Sequence, residues 1–293
     1  MAALLCGCSA PGAGKTPTTA LDQAISPVTN VPNRLIDAIE PSNHRDWKPN
    51  YAVMPYIEMH GDKAMVRNVR YCKFKTASDY TVEYYDKEFD LDDIQSVDIV
   101  MIPFAPMPQL AHVEMSFGFK GGEYLGVSVE ARREKGEDYD PILGLARQFE
   151  LMYVLADERD MIRQNTDVYL SDVYIYRLKA NSNQARAAFL DMAQRVNTLI
   201  ERPEHYNTLT NNCTTNLVAH MNKMYGPDKQ IRYSYEVMMP GAFDQLLYGE
   251  GLIDTSVPFL QAKELARINK KAYAYGDGPD FSTAIRSGHS TFR

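Results

Sequence analysis

Cysteine is scarce in this chain of 293 residues, which has only four. Cys6 and Cys8 stand at the amino terminus, while Cys72 and Cys213 lie far apart in the body. This distribution excludes a disulfide framework, and the six histidines do not supply the closely spaced ligand pairs of a structural zinc site. We therefore expect no bound metal and no cofactor.

Basic runs and long apolar runs are also missing. The chain has 31 Lys and Arg against 38 Asp and Glu, which gives a formal net charge of −7. A nucleic-acid partner is excluded, because binding the phosphate backbone requires clustered Lys and Arg. No stretch approaches the roughly 18 consecutive apolar residues of a membrane-spanning helix, so the body is not expected to cross a membrane.

The amino terminus is typical of the end of a bacterial lipoprotein signal, with Leu5 three positions before Cys8 and small residues between them. We expect residues 1–8 to be the remnant of that signal and Cys8 to be the lipidated residue. The alternative is a chance Leu- and Cys-rich start, since residues 1–7 contain no Lys or Arg. Residues 9–40 are rich in Ala, Pro, Thr, Gly and Ser and are predicted to be a flexible tether.

Apolar residues at every second position predict strands along much of the body. The patterns span residues 65–72, 80–85, 97–102, 112–119, 124–132, 151–155 and 173–178. A helix is predicted over residues 185–201, where apolar residues form one stripe and Pro203 follows. The fold class is therefore α+β. We expect a β-rich N-terminal portion at 41–105, a catalytic core at 106–270 and a loosely ordered tail at 271–293.

Cys213 is the best candidate for a catalytic nucleophile. The segment 206–216 is rich in Asn and Thr, and apolar residues at helical spacing follow it, so Cys213 is predicted at the start of a helix. Unpaired N–H groups there favour a thiolate and can stabilise an oxyanion. The expected oxyanion donors are the Cys213 N–H and Asn212. The alternative is a small buried hydrophobic residue, which polar flanks make less favourable.

His112 is the best candidate for the base that activates this thiol. It lies in a predicted strand that presents His112, Glu114 and Ser116 on one face, and the next strand presents Ser128, Glu130 and Arg132 likewise. Joining the strands through a three-residue loop, Gly121 to Glu123, is expected to set Glu130 opposite Glu114 and Arg132 opposite His112. Glu130 is then the candidate to orient the imidazole, with Ser128 as the second choice.

Three segments of the chain resemble a bacterial family, the Lnb N-terminal periplasmic domain. They are SVEARREKGE at 128–137, YVLADERD at 153–160 and YNTLTNNCTTN at 206–216, and the resemblance extends over residues 45–270. His112 also precedes Cys213, which is similar to a circularly permuted papain-like (NlpC/P60-like) core. The resemblance implies a lipoprotein N-acyltransferase activity with Cys213 as the acyl-carrying nucleophile and His112 as the base.

Together these features predict a lipid-anchored cysteine enzyme on the periplasmic face of the cell envelope. His112 deprotonates Cys213, which attacks an ester or amide and forms a thioester. The expected partners are the membrane, through the lipid on Cys8, and an acyl donor such as a phospholipid or a peptide substrate. The alternatives are a cysteine peptidase or amidase acting on cell-wall peptide, and a non-catalytic envelope scaffold.

Overall fold

The computed structural model describes residues 40–105 and 107–288, which form ten strands, nine α-helices and five short 3₁₀ or π-helical segments. The predicted lipidation residue, Cys8, lies outside these residues. The strands are β1 (Tyr56–His60), β2 (Lys63–Arg70), β3 (Lys73–Phe74), β4 (Tyr80–Thr81), β5 (Tyr84–Asp90), β6 (Ile94–Phe104), β7 (Met107–Phe119), β8 (Glu123–Arg132), β9 (Glu150–Ala156) and β10 (Tyr174–Arg177).

Eight of these strands form one mixed sheet in the order β1-β2-β9-β8-β7-β6-β10, with β5 paired to β2. Only the short β2–β9 contact is parallel among the pairings of this sheet in the described residues. β3 and β4 form a separate hairpin. The boundary predicted between residues 105 and 106 falls between β6 and β7, which pair along most of their length, for example Ile99 with Met115. The N-terminal portion and the core therefore share one sheet.

The helices mostly follow the strands, and the α+β class predicted from the sequence is confirmed. They are α1 (Pro141–Leu145), α2 (Glu158–Arg163), α3 (Ser182–Glu201), α4 (Cys213–Tyr225), α5 (Tyr235–Met238), α6 (Phe243–Gly249), α7 (Phe259–Ala266), α8 (Asn269–Tyr275) and α9 (Phe281–Ala284). α3 begins three residues before its predicted start, because Asn181 and Gln184 form a capping box. Within the described part of the chain, no helix combines the length and apolar character that a bilayer crossing requires.

Both faces of the sheet are covered, because successive residues of β6 pack alternately into two different cores. Ile99 and Met101 pack into a core shared with α3 and α4, whereas Val100 and Ile102 pack into a second core shared with α2, α8 and α9. Apart from Gln95, Ser96 and Asp98, β6 is apolar throughout, as is typical of a strand buried on both faces. The polar face of β7 and β8 consequently lies inside the protein rather than in solvent.

The prediction of a loosely ordered tail is wrong for residues 271–288, the part of the tail that the structure describes. Phe281 and Ile285 are fully buried in the second core. Arg286 is buried too, and it pairs with Asp98 at 2.7 Å and Glu158 at 2.6 Å. The glycines at 276, 278 and 288 suggested looseness, but these long-range ion pairs and apolar contacts hold the segment against the sheet.

Candidate active site

The β7–β8 hairpin sets the register of the site. Its three-residue turn is Lys120–Gly122, and Gly121 and Gly122 both have positive φ, which side chains other than glycine rarely adopt. Glu114 pairs with Ser128, and Ser116 with Gly126. The predicted loop was therefore one residue too far along the chain and the predicted register was wrong by two residues.

In the observed register Glu130 lies opposite His112. Arg132 lies two residues further along β8, beyond His112. An error of two residues preserves the faces of both strands, so the polar side chains still meet. Arg132 instead donates to backbone carbonyls of Tyr51 and Ala52, under the Trp47 ring. It takes no part in the contacts of His112.

His112, Ser128 and Glu130 form a hydrogen-bonded chain. The Ser128 hydroxyl donates to Glu130 Oε1 at 2.6 Å, and Ser128 Oγ lies 2.8 Å from His112 Nε2. Because the single hydroxyl proton of Ser128 is used on Glu130, Ser128 must accept from His112, and Nε2 must carry a proton. The other ring nitrogen is then the one that can take a proton from a thiol.

A second carboxylate, Glu114, approaches the same ring nitrogen. Its Oε1 lies 3.4 Å from His112 Nε2, and Oε1 of Glu130 lies 3.3 Å from it. Glu114 is 2 % exposed, and burial raises its pKa in spite of the hydrogen bond and charge of His112. The alternation of the sequence placed Glu114 on the polar face but assigned it no role in the site.

Cys213 is the first residue of α4, as predicted. Asn212 is the N-cap: its side-chain oxygen accepts from the Thr215 N–H at 2.9 Å, and the Thr215 hydroxyl accepts from the Asn212 N–H at 2.9 Å. This reciprocal capping box fixes the first turn. The first N–H groups of a helix have no acceptor within it, and here they lie at the end that carries Cys213.

Asn212 has more structural contacts than its predicted role as an oxyanion donor implied. Its side-chain amide donates to the Thr208 carbonyl at 2.6 Å, and its backbone N–H is used in the capping box. Asn212 does border the cavity beside Cys213. Its side chain therefore holds the loop before α4 in place, which leaves the N–H of Cys213 as the candidate donor.

Cys213 and His112 shift each other's ionisation. Burial by itself would raise the pKa of Cys213, but a hydrogen bond and the charge of His112, with further hydrogen bonds from the Val113 N–H and Thr214, lower it below its ordinary value. Burial would likewise lower the pKa of His112, but the charge of Glu130 and contacts with Cys213 and Glu114 raise it well above its ordinary value. Both shifts favour a thiolate–imidazolium pair.

Glu130 is held ionised in this arrangement. Burial would raise the pKa of Glu130, yet the charge and hydrogen bond of His112, the charge of Arg133 and the Ser128 hydroxyl lower it well below its usual range. An ionised Glu130 in turn stabilises the imidazolium through Ser128. The arrangement fits a base that is oriented by a third group.

Cys213 and His112 share one cavity of about 270 Å³. The cavity combines apolar walls with polar groups, in keeping with a ligand site. Its lining includes Ile102, Phe104, Leu110, Glu114, Val129, Glu130, Arg133, Tyr139, Tyr206, Asn212 and Met238. The tyrosines and Arg133 come from loops whose spacing to Cys213 could not be read from the sequence.

His220 has a structural role, in agreement with the sequence argument that it lies too far along α4 to reach Cys213. It is buried, with Nδ1 2.7 Å from Asp191 Oδ2 and Nε2 2.7 Å from the Tyr153 hydroxyl. These contacts join α3, α4 and β9. His220 is thus engaged away from the cavity.

We expect the alkylation of Cys213 to persist at neutral pH. An ordinary thiol is half ionised near about pH 8.5, and a lowered pKa keeps thiolate present below that pH until the pH falls through the lower value. Cys72 is a matched internal control, because burial and then Asp160 raise its pKa to about 12. Iodoacetamide labelling followed by peptide mass spectrometry across pH should modify Cys213 before Cys72. A midpoint for Cys213 at or above that of an ordinary thiol would contradict the ion pair.

The comparisons with known proteins agree with the resemblance found in the sequence. Neither the curated proteins nor the solved structures include a match to this chain. The family model described as the Lnb N-terminal periplasmic domain matches residues 80–240, which include His112, Ser128, Glu130 and Cys213. The match covers more than half of the chain and indicates a periplasmic protein of the cell envelope. The chain belongs to the Lnb N-terminal periplasmic domain family.

Proposed function

We propose that this protein is a cysteine-dependent acyl-transfer enzyme of the cell envelope that works through a thioester on Cys213. The observation that carries the proposal is the pairing of Cys213 with His112 in one cavity, with the pKa of the thiol lowered and that of the imidazole raised. In a buried structural cysteine the pKa of the thiol is raised instead, as it is in Cys72.

In the first step the Cys213 thiolate attacks the carbonyl carbon of an ester or amide. The C–S bond forms, and the negative charge on the carbonyl oxygen is stabilised by N–H groups at the start of α4. The C–O or C–N bond of the donor then breaks, and the imidazolium of His112 gives its proton to the leaving group. The product is an acyl thioester with neutral His112.

Ser128 and Glu130 support this step as positioning residues. The hydrogen bond from Nε2 to Ser128 fixes the plane of the ring, and the ionised Glu130 favours its protonated form.

In the second step an acceptor amine or water attacks the thioester while His112 takes its proton. The thiolate leaves, and the thiolate–imidazolium pair is restored.

The lining of the cavity supports a donor with a hydrocarbon part. Ile102, Phe104, Leu110 and Met238 border it, and apolar side chains of this kind suit an acyl chain better than a polar peptide. A phospholipid is therefore the donor we propose, delivered at the membrane to which the lipid on Cys8 would attach the protein. The acceptor we propose, on the family resemblance, is the amino terminus of a lipoprotein.

We also propose a permuted papain-like core. Its support is that the helix carrying the cysteine, α4, packs against the strand carrying the histidine, β7, while the histidine comes first in the chain. The hydrogen-bonded third group beside the imidazole adds to this support.

The proposal is tested by incubating the protein with phospholipid vesicles and a diacylated lipoprotein peptide, followed by mass spectrometry of the peptide. The expected result is the gain of one acyl chain on the peptide, dependent on both Cys213 and His112. Peptide cleavage without acyl gain would instead identify a peptidase. Absence of any change, with Cys213 unreactive to acyl probes, would favour a non-catalytic scaffold.

A further inference from the structure

The carboxylate of Glu114 is not accounted for by the acyl-transfer mechanism. Its side chain is nine-tenths or more buried and borders the cavity, and Oε2 has no hydrogen-bond partner within the described residues. The thiolate–imidazolium pair is neutral, and Arg133 lies close enough to compensate Glu130. Glu114 therefore places a second carboxylate beside His112 at the border of the cavity, and one oxygen of that carboxylate has no partner among the described residues.

The geometry around His112 Nε2 fits a metal ion. The ligand atoms of His112, Glu114 and Glu130 all lie within 4.8 Å of one another. The separation from Nε2 to the carboxylate oxygen is 3.4 Å for Glu114 and 3.3 Å for Glu130. A tetrahedral zinc site with bonds of about 2.0–2.2 Å has edges of about 3.3–3.6 Å.

We propose that His112, Glu114 and Glu130 form a site for a divalent transition metal such as Zn²⁺, and that a metal bound there inactivates Cys213. One imidazole nitrogen and two carboxylate oxygens suit this class of ion. The fourth position faces the cavity and is open to water. Residue spacing along the chain carries no sign of such a site, because its ligands come from two strands that the hairpin register brings together.

Inactivation follows from the use of Nε2. A metal on this nitrogen displaces both the proton and the Ser128 hydroxyl that accepts it, which lies 2.8 Å from Nε2, and the proton passes to solvent. The ring can then no longer become an imidazolium, since that form needs a proton on both nitrogens. A neutral ring that binds the metal through Nε2 carries its one proton on Nδ1, so it cannot take a proton from the thiol, and Cys213 loses its imidazolium partner.

Binding is tested in full-length Cys213→Ala protein, so that this arm does not depend on the proposed acyl transfer. Zn²⁺ is titrated against a competing chelator, and Cys213→Ala/Glu114→Gln is compared with a control, Cys213→Ala/Glu250→Gln, in which an exposed glutamate is changed. All three proteins share Cys6, Cys8 and Cys72, so any difference in zinc affinity between them comes from the glutamate that was changed. The Glu114 change should weaken one zinc site by at least about tenfold, and the control should not.

Two results would overturn the site: equal zinc affinity with and without Glu114, or a zinc site that is present in the wild-type protein and absent in Cys213→Ala, which would identify the thiol as the ligand. Circular dichroism melting checks that each variant is folded. If Glu114→Gln does not fold, Glu130→Gln in the same background tests the second carboxylate in the same way.

Inactivation, which rests on the proposed function of Cys213, is tested by its rate of alkylation with and without Zn²⁺. In otherwise wild-type protein, zinc should slow alkylation at least about tenfold and a chelator should restore it. The ratio of the two rates should return toward one in Glu114→Gln. Zinc slowing that variant equally would contradict the proposal. Failure of the acyl-transfer assay alone would leave both zinc measurements unaffected.

Discussion

Replacing Cys213 with alanine is expected to abolish acyl transfer and the covalent acyl adduct, lowering the rate by at least about a thousandfold. The thioester needs a sulfur at this position, at the start of α4 and in contact with His112. Intact-mass spectrometry after incubation with an activated acyl ester, such as a p-nitrophenyl ester, measures the adduct directly. Cleavage of the ester measures turnover in the same sample.

The matched control is Cys72→Ala. Cys72 is the other cysteine of the described residues, is also buried and free, and has its pKa raised rather than lowered. Cys72→Ala should leave the amount of adduct and the rate of ester cleavage unchanged. His112→Asn should retain the thiol but form the adduct slowly at neutral pH, because no imidazole is left to take the proton of the Cys213 thiol. The rate of adduct formation should recover at alkaline pH, where the thiol ionises without a base. An adduct that survives in Cys213→Ala would refute the mechanism.

The sequence predicted the positions of Cys213 and His112 in the fold because the signals for each are local. Asn and Thr before an apolar helical pattern predicted the start of α4, and the helix begins at Cys213. Alternation along one strand put His112 and Glu114 on the polar face, and this did not require knowing the partner strand. Helix starts and strand faces depend on neighbours a few residues away, which a sequence displays.

The register of β7 and β8 was harder to predict, because two three-residue loops give the same match of polar and apolar faces. The loops Lys120–Gly122 and Gly121–Glu123 differ by two residues in register, and the pattern alone cannot separate them. The last residue of a three-residue hairpin loop takes a positive φ, which Gly122 adopts at the end of the actual turn and which Glu123 would have to adopt in the alternative. Glu130 was still found because its face was right.

Contacts between distant parts of the chain were beyond the sequence. The pairing of Arg286 with Asp98 and Glu158 joins residues up to 188 positions apart. The glycines near Arg286, at 276, 278 and 288, indicated a loose tail. A single buried guanidinium reverses that interpretation, since only the folded structure shows which carboxylates need it.

Arg286→Met is therefore expected to destabilise the fold strongly, by about 3–5 kcal/mol, because removing one member of a buried ion pair leaves the other charges uncompensated. Arg286 Nη1 and Nη2 contact Glu158 at 2.8 and 2.6 Å, Nε contacts Asp98 at 2.7 Å, and the guanidinium stacks 3.7 Å from the centre of the Tyr124 ring. Methionine keeps much of the volume but none of these charges. Urea unfolding followed by circular dichroism measures the free energy of unfolding.

The comparison that separates charge from packing is the double variant Arg286→Met/Glu158→Gln. The amide that replaces the Glu158 carboxylate can still accept from the Ser116 hydroxyl, which contacts Glu158 at 2.6 Å, while the buried charge is gone. Asp98 keeps Arg177 as a partner. The double variant should thus regain part of the stability lost in Arg286→Met, and Arg232→Met, at an exposed arginine, should change stability by less than about 0.5 kcal/mol. Equal stability of Arg286→Met and the wild type would show that this ion pair does not hold the C-terminal segment. The buried position of α9 would then depend on apolar contacts such as those of Phe281 and Ile285.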